Sequence, residues 1–302
     1  MNRNLCSSHV HRFRIALLSL LAVSMAVVLP EARSAVIADF SGGDGTTQPD
    51  QYKGVAGSGW VGAWGSRNGS GGTTTIGVEN ANPFGSGGNY LQLDYVRSTA
   101  GGSNRAGVAR AFETGTVGGI TMTSPYTISF DFRADSLTGF NASGDQFAFS
   151  SESTTTIGGF GADAPWSLLI RGDTGWVVTN GNGSGEVTNL NFSSLGLTSL
   201  TVNTIYTIKV FIDPLNSAYD LTITTGGNTY RASDLNGNQL LGFRTNATAA
   251  SANVLQFRNI NDEVGDEQKW SLDNIAVVPE PHTTALFFGG MICMAWKFRQ
   301  RP

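Results

Sequence analysis

Polar and apolar residues alternate along several short stretches in the middle of the chain. From Tyr126 to Arg133 (YTISFDFR), four apolar side chains fall on one face and four polar ones on the other. This period of two is typical of a half-buried strand in an antiparallel sheet. The same period recurs at residues 206–210 and 219–224, and Gly-Gly-Asn at 226–228 then leads into residues 229–231. These runs predict a meander of successive strands with short turns.

Other short apolar runs lie between turn-rich spacers and bring the predicted strands to about a dozen. They are residues 90–96, 108–112, 147–149, 166–171, 176–179, 254–260 and 270–278. Helical periodicity is absent from this part of the chain, where Gly, Ser, Thr and Asn, which disfavour helices, are abundant. Two antiparallel sheets packed face to face bury such strands. The sequence therefore predicts an all-β fold with a single antiparallel β-sandwich of the jelly-roll type.

The first 35 residues follow a different pattern. Three arginines within the first 14 residues precede an apolar run at 15–29, and small residues follow it. This order is typical of a secretory signal peptide. Cleavage between Ser34 and Ala35 is favoured because it places Ala32 at the minus-three position. An uncleaved signal anchor is the alternative.

The last two dozen residues form a third pattern with three parts. A Pro279-Glu280-Pro281 motif comes first, an apolar run at 285–296 follows, and a basic end carries Lys297, Arg299 and Arg301. Apolar residues followed at once by positive charge are typical of a segment that enters a bilayer and stops on the cytoplasmic side. The run is shorter than the roughly 20 residues needed to cross the hydrocarbon core. It therefore predicts a short hydrophobic helix that anchors the protein transiently.

The tail closely resembles the PEP-CTERM sorting signal of bacteria that secrete exopolysaccharide. The resemblance rests on the Pro-Glu-Pro triplet, Thr283 to Leu286, the Gly289-Gly290 pair and the closing basic cluster. It implies that export machinery carries the chain across the inner membrane and that an exosortase, a membrane protease, cuts near the motif. It also implies delivery to the cell surface or extracellular matrix. The chain then divides into a signal peptide at 1–34, a sandwich domain at 35–278 and a sorting signal at 279–302.

Charge and cysteine content change once these two ends are set aside. The only cysteines, Cys6 and Cys293, lie in the end segments, so disulfides do not stabilise the body. Residues 36–278 contain 12 Lys and Arg against 21 Asp and Glu, a net charge of −9. Nucleic acids reward a basic face, so an acidic body argues against them as partners. It is compatible with neutral glycans or divalent cations.

The body also resembles the concanavalin A-like lectin/glucanase sandwiches found in many surface proteins with such tails. The matching stretches are residues 36–40, 59–64, 166–170 and 270–275. The resemblance implies a fold, and a fold does not determine a function.

No constellation for catalysis is evident in the body. It contains no histidine, which excludes a Ser-His-Asp triad and histidine-ligated metals after processing. Sandwich glucanases usually present Glu-x-Asp-x-x-Glu on one strand. The nearest stretch, residues 262–267, has a central glycine and reads as an acidic loop. The sequence therefore predicts a protein that is not an enzyme.

Two pairs of residues are candidate ligand sites. Trp60 and Trp64 lie in the Gly-rich segment 42–72, which we interpret as an ordered loop against the sandwich edge. Their rings either form an exposed platform that binds a glycan or pack against the edge of the sandwich. Asp39 and Asp273 lie on the first and last predicted strands, where a structural calcium ion could tie the chain ends together. Otherwise they cap loops or pair with arginine. No cofactor is required.

Two functional classes remain open. The first is a non-enzymatic exported surface or matrix protein whose sandwich binds glycan or matrix components. The alternative is a secreted glycan-active hydrolase with unrecognised carboxylates.

Overall fold

The computed structural model describes residues 36–38, 40, 59–85, 87–115, 120–141, 144–157, 164–244 and 252–280. Most of these residues lie in strands, and the strands form two antiparallel sheets that share one main hydrophobic core. The predicted single antiparallel β-sandwich is therefore confirmed. Ser34–Glu280 forms one compact unit. The remaining residues, including both predicted end segments up to Arg33 and from Pro281, lie outside the described part.

One sheet has nine described strands, in the order β13-β12-β11-β6-β16-β4-β3, with β1 beside β16 and β14 beside β12. Its strands are β1 (Val36–Ala38), β3 (Gly72–Glu79), β4 (Tyr90–Arg97), β6 (Tyr126–Thr138), β11 (Ile205–Asp213), β12 (Ala218–Thr225), β13 (Asn228–Arg231), β14 (Leu241–Gly242) and β16 (Glu267–Pro279).

The other sheet has seven described strands, in the order β10-β9-β8-β7-β15-β5-β2. Its strands are β2 (Trp60–Arg67), β5 (Arg105–Phe112), β7 (Gln146–Glu152), β8 (Ser167–Arg171), β9 (Gly175–Gly181), β10 (Val187–Asn191) and β15 (Val254–Ile260). Two short 3-10 helices, Phe192–Leu195 and Ala232–Asn236, follow β10 and β13.

The chain crosses repeatedly between the sheets, as it does in jelly-roll sandwiches. β15 inserts between β5 and β7 in one sheet, and β16 inserts between β4 and β6 in the other. The first described strand, β1, pairs with β16, with Ala38 opposite Ile275. The expected neighbourhood of the first and last strands is thus observed.

Alternation along the strands builds the core. On β6 the residues Tyr126, Ile128, Phe130 and Phe132 are all buried, while the residues between them face outward and are partly exposed. Phe130 meets the ring of Phe257 from the opposite sheet edge-on, with centroids 5.0 Å apart. Such an aromatic pair adds about 0.5–1.5 kcal/mol beyond the burial of its area. The predicted half-buried strand is therefore the centre of the nine-stranded sheet.

The segment predicted as a loop at the sandwich edge contains a regular element. Trp60–Arg67 is an edge strand that pairs with β5, and the register shifts between Val61 and Gly65. Three glycines within and around this stretch suggested irregular backbone, but strand pairing takes precedence over the low strand propensity of glycine. The interpretation of this part as a loop was wrong, because residues 60–67 pair with β5 as a strand and bury both tryptophans in the core.

Candidate functional site

A groove on the outer face of the nine-stranded sheet is formed around Phe211. Along β11, Tyr206, Ile208, Val210 and Ile212 are buried, so Phe211 lies out of phase with them and faces outward, half-buried. The ladder places Phe211 opposite Thr127 of β6 and Asp220 of β12. One aromatic ring is therefore presented on the outer face of the sheet, between a threonine and an aspartate.

A second row of side chains borders the first. Lys209 of β11 lies opposite Thr222 of β12, which lies opposite Arg231 of β13. Together the two rows line a shallow surface depression of about 250 Å³. We call this depression the Phe211 groove; its lining residues are Thr127, Lys209, Phe211, Asp220, Thr222 and Arg231.

Hydrogen bonds fix the polar side of the groove. Asp220 is only 4% exposed and accepts from the backbone N–H of Ser233 at 3.0 Å and from its hydroxyl at 3.1 Å. It also accepts from Nε of Arg231 at 2.5 Å, while the Arg231 side chain remains 55% exposed. This hydrogen bond raises the pKa of Arg231. The carboxylate thus holds the guanidinium in one orientation and leaves much of it accessible to solvent.

The groove combines the groups that recognise a sugar. An aromatic face packs against the apolar face of a ring, while Lys, Arg and Thr donate hydrogen bonds to hydroxyls. Its volume is below the roughly 300–1,000 Å³ of pockets that enclose small molecules. The shape suits one unit of an extended chain lying across the sheet better than an enclosed ligand.

Trp60 and Trp64 do not form a platform. They are 7% and 2% exposed, and the indole N–H of Trp60 donates to the carbonyl of Ile37 at 2.9 Å. Phe40 stacks on Trp64 with centroids 5.9 Å apart, and the Arg110 guanidinium lies 5.0 Å from the Trp60 ring. Both indoles therefore stabilise the sandwich edge through burial and cation–π contact, and neither presents a face to a glycan.

Asp273, the described member of the candidate calcium pair, is buried on β16 directly opposite Asp131. Its carboxylate accepts from Nδ2 of Asn82 and from the backbone N–H of Asn274, both at 2.8 Å. Asp39 lies outside the described residues. Within the described ranges, no group of three or more His, Cys, Asp or Glu side chains is arranged to hold a metal ion. The structural calcium ion stays a prediction.

A carboxylate cluster on the same sheet face was missed by sequence reasoning. Asp135 forms a 2.5 Å ion pair with Arg133 and accepts from the Ser271 hydroxyl at 2.5 Å. Asp94 lies nearby on β4, and burial, followed by the negative charge of Glu267, raises its pKa. These residues come from three strands, so only the sheet register brings them together.

The acidic stretch interpreted as a loop does connect two strands. Residues 261–266 join β15 to β16, and Asp266 within them is buried. Burial raises the pKa of Asp266, and the carboxyl group of Asp145 contributes in the same direction. Asp145 accepts from the backbone N–H of Asp262 at 2.7 Å. These carboxyl groups close a turn between strands, as expected for an acidic loop.

The sorting motif is described only in its first two residues. Pro279 ends β16, and the backbone N–H of Glu280 donates to the carbonyl of Pro125 at 3.0 Å. The Thr127 hydroxyl donates to Oε1 of Glu280 at 2.5 Å. The strand therefore extends past the predicted domain boundary at 278. The other predicted sorting and cleavage residues lie outside the described ranges: Ser34, Ala35, Pro281, Lys297, Arg299 and Arg301.

No helix in the described part of the chain is both long and apolar enough to cross a membrane. The predicted hydrophobic segment of the tail does not belong to that part.

Comparisons with known proteins give structural likeness only. No family model matches the chain, and no curated protein matches it. Among solved structures, it is similar to the catalytic domain of a glycoside hydrolase family 131 protein from Coprinopsis cinerea, at 14% identity and a TM-score of 0.46, covering 73% of this chain and 85% of that one. It is similar to lectin II from Ulex europaeus at 7% identity and a TM-score of 0.41, covering 74% and 93%. A sialidase gives 11% identity and a TM-score of 0.41, but this chain spans only 17% of its length.

Proposed function

We propose that the protein is a non-enzymatic cell-surface or extracellular-matrix protein whose sandwich binds a glycan chain in the Phe211 groove. The observation that carries this proposal is the outward-facing aromatic ring of Phe211 beside the fixed Asp220–Arg231 pair. An aromatic ring on a sheet face supplies a flat apolar surface against which the apolar face of a sugar ring can pack. The neighbouring donors give such a ligand its orientation.

The ends of the chain support a surface location within this proposal. The signal-peptide pattern at 1–34 provides for export, and the tail resembles a sorting signal processed by an exosortase. We infer that the protein is anchored transiently in the inner membrane and is then delivered to the cell surface or matrix. Polysaccharides are abundant there, which agrees with a glycan-binding groove.

Retention on immobilised neutral polysaccharides tests the groove. The full chain in mild detergent is expected to be retained, and Phe211→Ala should weaken retention about tenfold because the sugar loses its apolar contact. Phe211→Tyr keeps the ring and should bind like the parent. Leu215→Ala, at a turn residue that is 75% exposed, is the matched control for loss of exposed apolar area. Equal retention of parent and Phe211→Ala would exclude the groove as the binding site.

A secreted hydrolase is the second candidate, and one observation favours it. Asp94, whose pKa is raised, and Asp135, which is ion-paired with Arg133, lie on the same face of the nine-stranded sheet. An acid with a raised pKa beside a charged carboxylate is the arrangement that glycosidases use. Measuring the release of reducing ends from the same polysaccharides separates the two candidates. Release that Asp94→Asn abolishes would favour the hydrolase.

A further inference from the structure

Three arginines share the outer face of the seven-stranded sheet. Arg67 of β2 and Arg258 of β15 both lie directly opposite Gly107 of β5, one on each side. Arg105 lies two residues before Gly107 on the same strand and opposite Ile260, so its side chain faces the same way. We call Arg67, Arg105 and Arg258 the arginine row.

Packing shows that this face is the outer one. Ala109 and Val254, which are in phase with the arginine row, pack with Ile157 in a small cluster apart from the main core. Val108 and Phe257, which are out of phase with it, belong to the main core between the sheets. Gly107 leaves the middle of the row without a side chain. A larger residue would not fit there without a shift, since its Cβ would lie 2.8 Å from the Cβ of Arg258.

The arginines are close enough to influence one another. Burial is the main cause that lowers the pKa of Arg258 to about 10, and the positive charges of Arg105 and Arg67 lower it further, against Glu152. Strand spacing puts the backbones of Arg67 and Arg258 about 10 Å apart. The row therefore concentrates positive charge on one face of a body whose net charge is −9 by sequence.

Arg258 is only 2% exposed, so Arg67 and Arg105 are the two arginines available to a ligand. Both Arg67 and Arg105 are partly exposed, and neither forms an ion pair with any residue that the structure describes. Nη2 of Arg67 donates to the Ser103 hydroxyl at 2.8 Å, and Nη1 donates to the carbonyl of Ile157. These bonds fix its guanidinium plane. The side chain of Arg105 makes no hydrogen bond to a described residue and can turn toward a ligand.

We propose that the arginine row binds the carboxylates of an acidic polysaccharide, at a site separate from the Phe211 groove on the other sheet. A guanidinium group matches a carboxylate with two parallel hydrogen bonds, and such charge-assisted bonds are about twice as strong as neutral ones. A polymer with repeated carboxylates can engage Arg67 and Arg105 together, so its apparent affinity exceeds that of a single contact.

Nucleic acid is a poorer match for this face, although it is also a polyanion. Among the described residues, the side chains in phase with the row on the neighbouring strands are small, aliphatic or polar, such as Ala109, Ala148 and Gln256, and offer no ring for base stacking. The dense phosphate charge of a nucleic acid is also repelled by the acidic remainder of the body. A polysaccharide with one carboxylate per sugar has a lower charge density.

Binding of the full chain, in mild detergent at low salt, to immobilised polygalacturonate tests the proposal. Arg105→Gln is expected to weaken binding about tenfold, and the Arg67→Gln/Arg105→Gln double variant further. Arg105→Lys keeps the charge without the paired donors and should lie between parent and Gln variant. Arg171→Gln is the matched control, since it removes one positive charge from the same face three strands from β5 and should bind like the parent. Added salt should weaken parent binding.

Several results would overturn the proposal. Equal loss in Arg171→Gln would show that overall charge, and not the arginine row, attracts the polymer. An equal loss of retention on neutral dextran in Arg105→Gln would show that the arginine row does not select carboxylates, and tighter parent binding of a single-stranded oligonucleotide would reject the acidic polysaccharide. If Phe211→Ala removes polygalacturonate binding while the arginine variants keep it, the Phe211 groove binds this polymer and the arginine row does not. Matching thermal unfolding of parent and variants establishes that each variant is folded. If Arg105→Gln does not fold, Arg105→Lys replaces it in the binding comparison.

Discussion

Asp94 is a carboxyl group held where negative charge is disfavoured. It lies on the outer face of β4, opposite Lys269 of β16, and its Oδ1 atom is buried without a hydrogen-bond partner. Burial is the main cause that raises its pKa, and Glu267 adds to it, whereas Lys269 acts in the opposite direction. The folded protein therefore holds the Asp94 proton more tightly than the unfolded chain does.

The stability of the protein should depend on this proton with a definite sign. As pH rises from the ordinary aspartate pKa of 3.8 through the raised folded value, the unfolded state releases its proton first and is favoured. Asp94 thus lowers the stability of the protein as pH rises. The free energy of unfolding of Asp94→Asn should therefore increase relative to that of the parent across this pH range. Urea unfolding of both proteins at several pH values measures this difference in unfolding free energy. Asp173→Asn, at an exposed turn residue, is the control. If the unfolding free energy of Asp94→Asn does not increase relative to that of the parent as pH rises, the pKa of Asp94 is not raised in the folded state.

β2 shows how an edge strand can be fixed by two large side chains. Trp60 and Trp64 are four residues apart and both face inward, where their rings lie 5.7 Å apart. Trp64 also packs against Phe257 of β15, with centroids 6.3 Å apart. The edge of the seven-stranded sheet is therefore closed by aromatic packing within the sandwich.

Trp64→Ala should accordingly destabilise the fold without touching the Phe211 groove. Removing a buried tryptophan typically costs about 3–5 kcal/mol of unfolding free energy, because a cavity remains. Denaturant unfolding measures this loss, and Leu215→Ala, at an exposed turn, is expected to change little. Under conditions where Trp64→Ala is folded, its retention on neutral polysaccharide should match the parent. A stable variant that has lost retention would restore the platform role.

The strands that the sequence predicts well are those whose two faces differ. β6, β11 and β12 alternate cleanly because one face packs in the core and the other meets water. β3 begins with a run of threonines, and β10 has no buried residue. Neither carries a period-two signal, since edge strands are stabilised by pairing more than by a buried face. Both were missed for this reason.

The same phase argument would have found part of the site. Phe211 follows Val210 directly, so the alternation that buries Val210 already turns Phe211 outward. Asp220 and Arg231, in contrast, are 11 residues apart and meet only through the pairing of β12 with β13. The arginine row likewise depends on register across three strands. Contacts of this kind cannot be derived from local pattern.

At the scale of the whole molecule, the two ends of the sandwich converge on one part of the nine-stranded sheet. β1 pairs with the second half of β16. Glu280, beyond β16, is hydrogen-bonded to Pro125, which precedes β6, and to Thr127 within β6. Thr127 also lines the Phe211 groove. The point at which the predicted tail leaves the sandwich is therefore next to the proposed glycan site.

The basic end of the tail offers the test of sorting. Positive residues after an apolar segment are retained on the cytoplasmic side, so replacing Lys297, Arg299 and Arg301 with Gln should lower correct membrane orientation and processing. Thr127→Val is the control variant. It removes the hydrogen bond that the Thr127 hydroxyl donates to Glu280 of the motif but leaves the tail sequence intact, so this variant should be processed like the parent. Fractionation of producing cells, with detection of the sandwich in membrane and surface fractions, measures the outcome. If the Gln variant reaches the surface as efficiently as the parent, the resemblance of the tail to a sorting signal does not extend to its function.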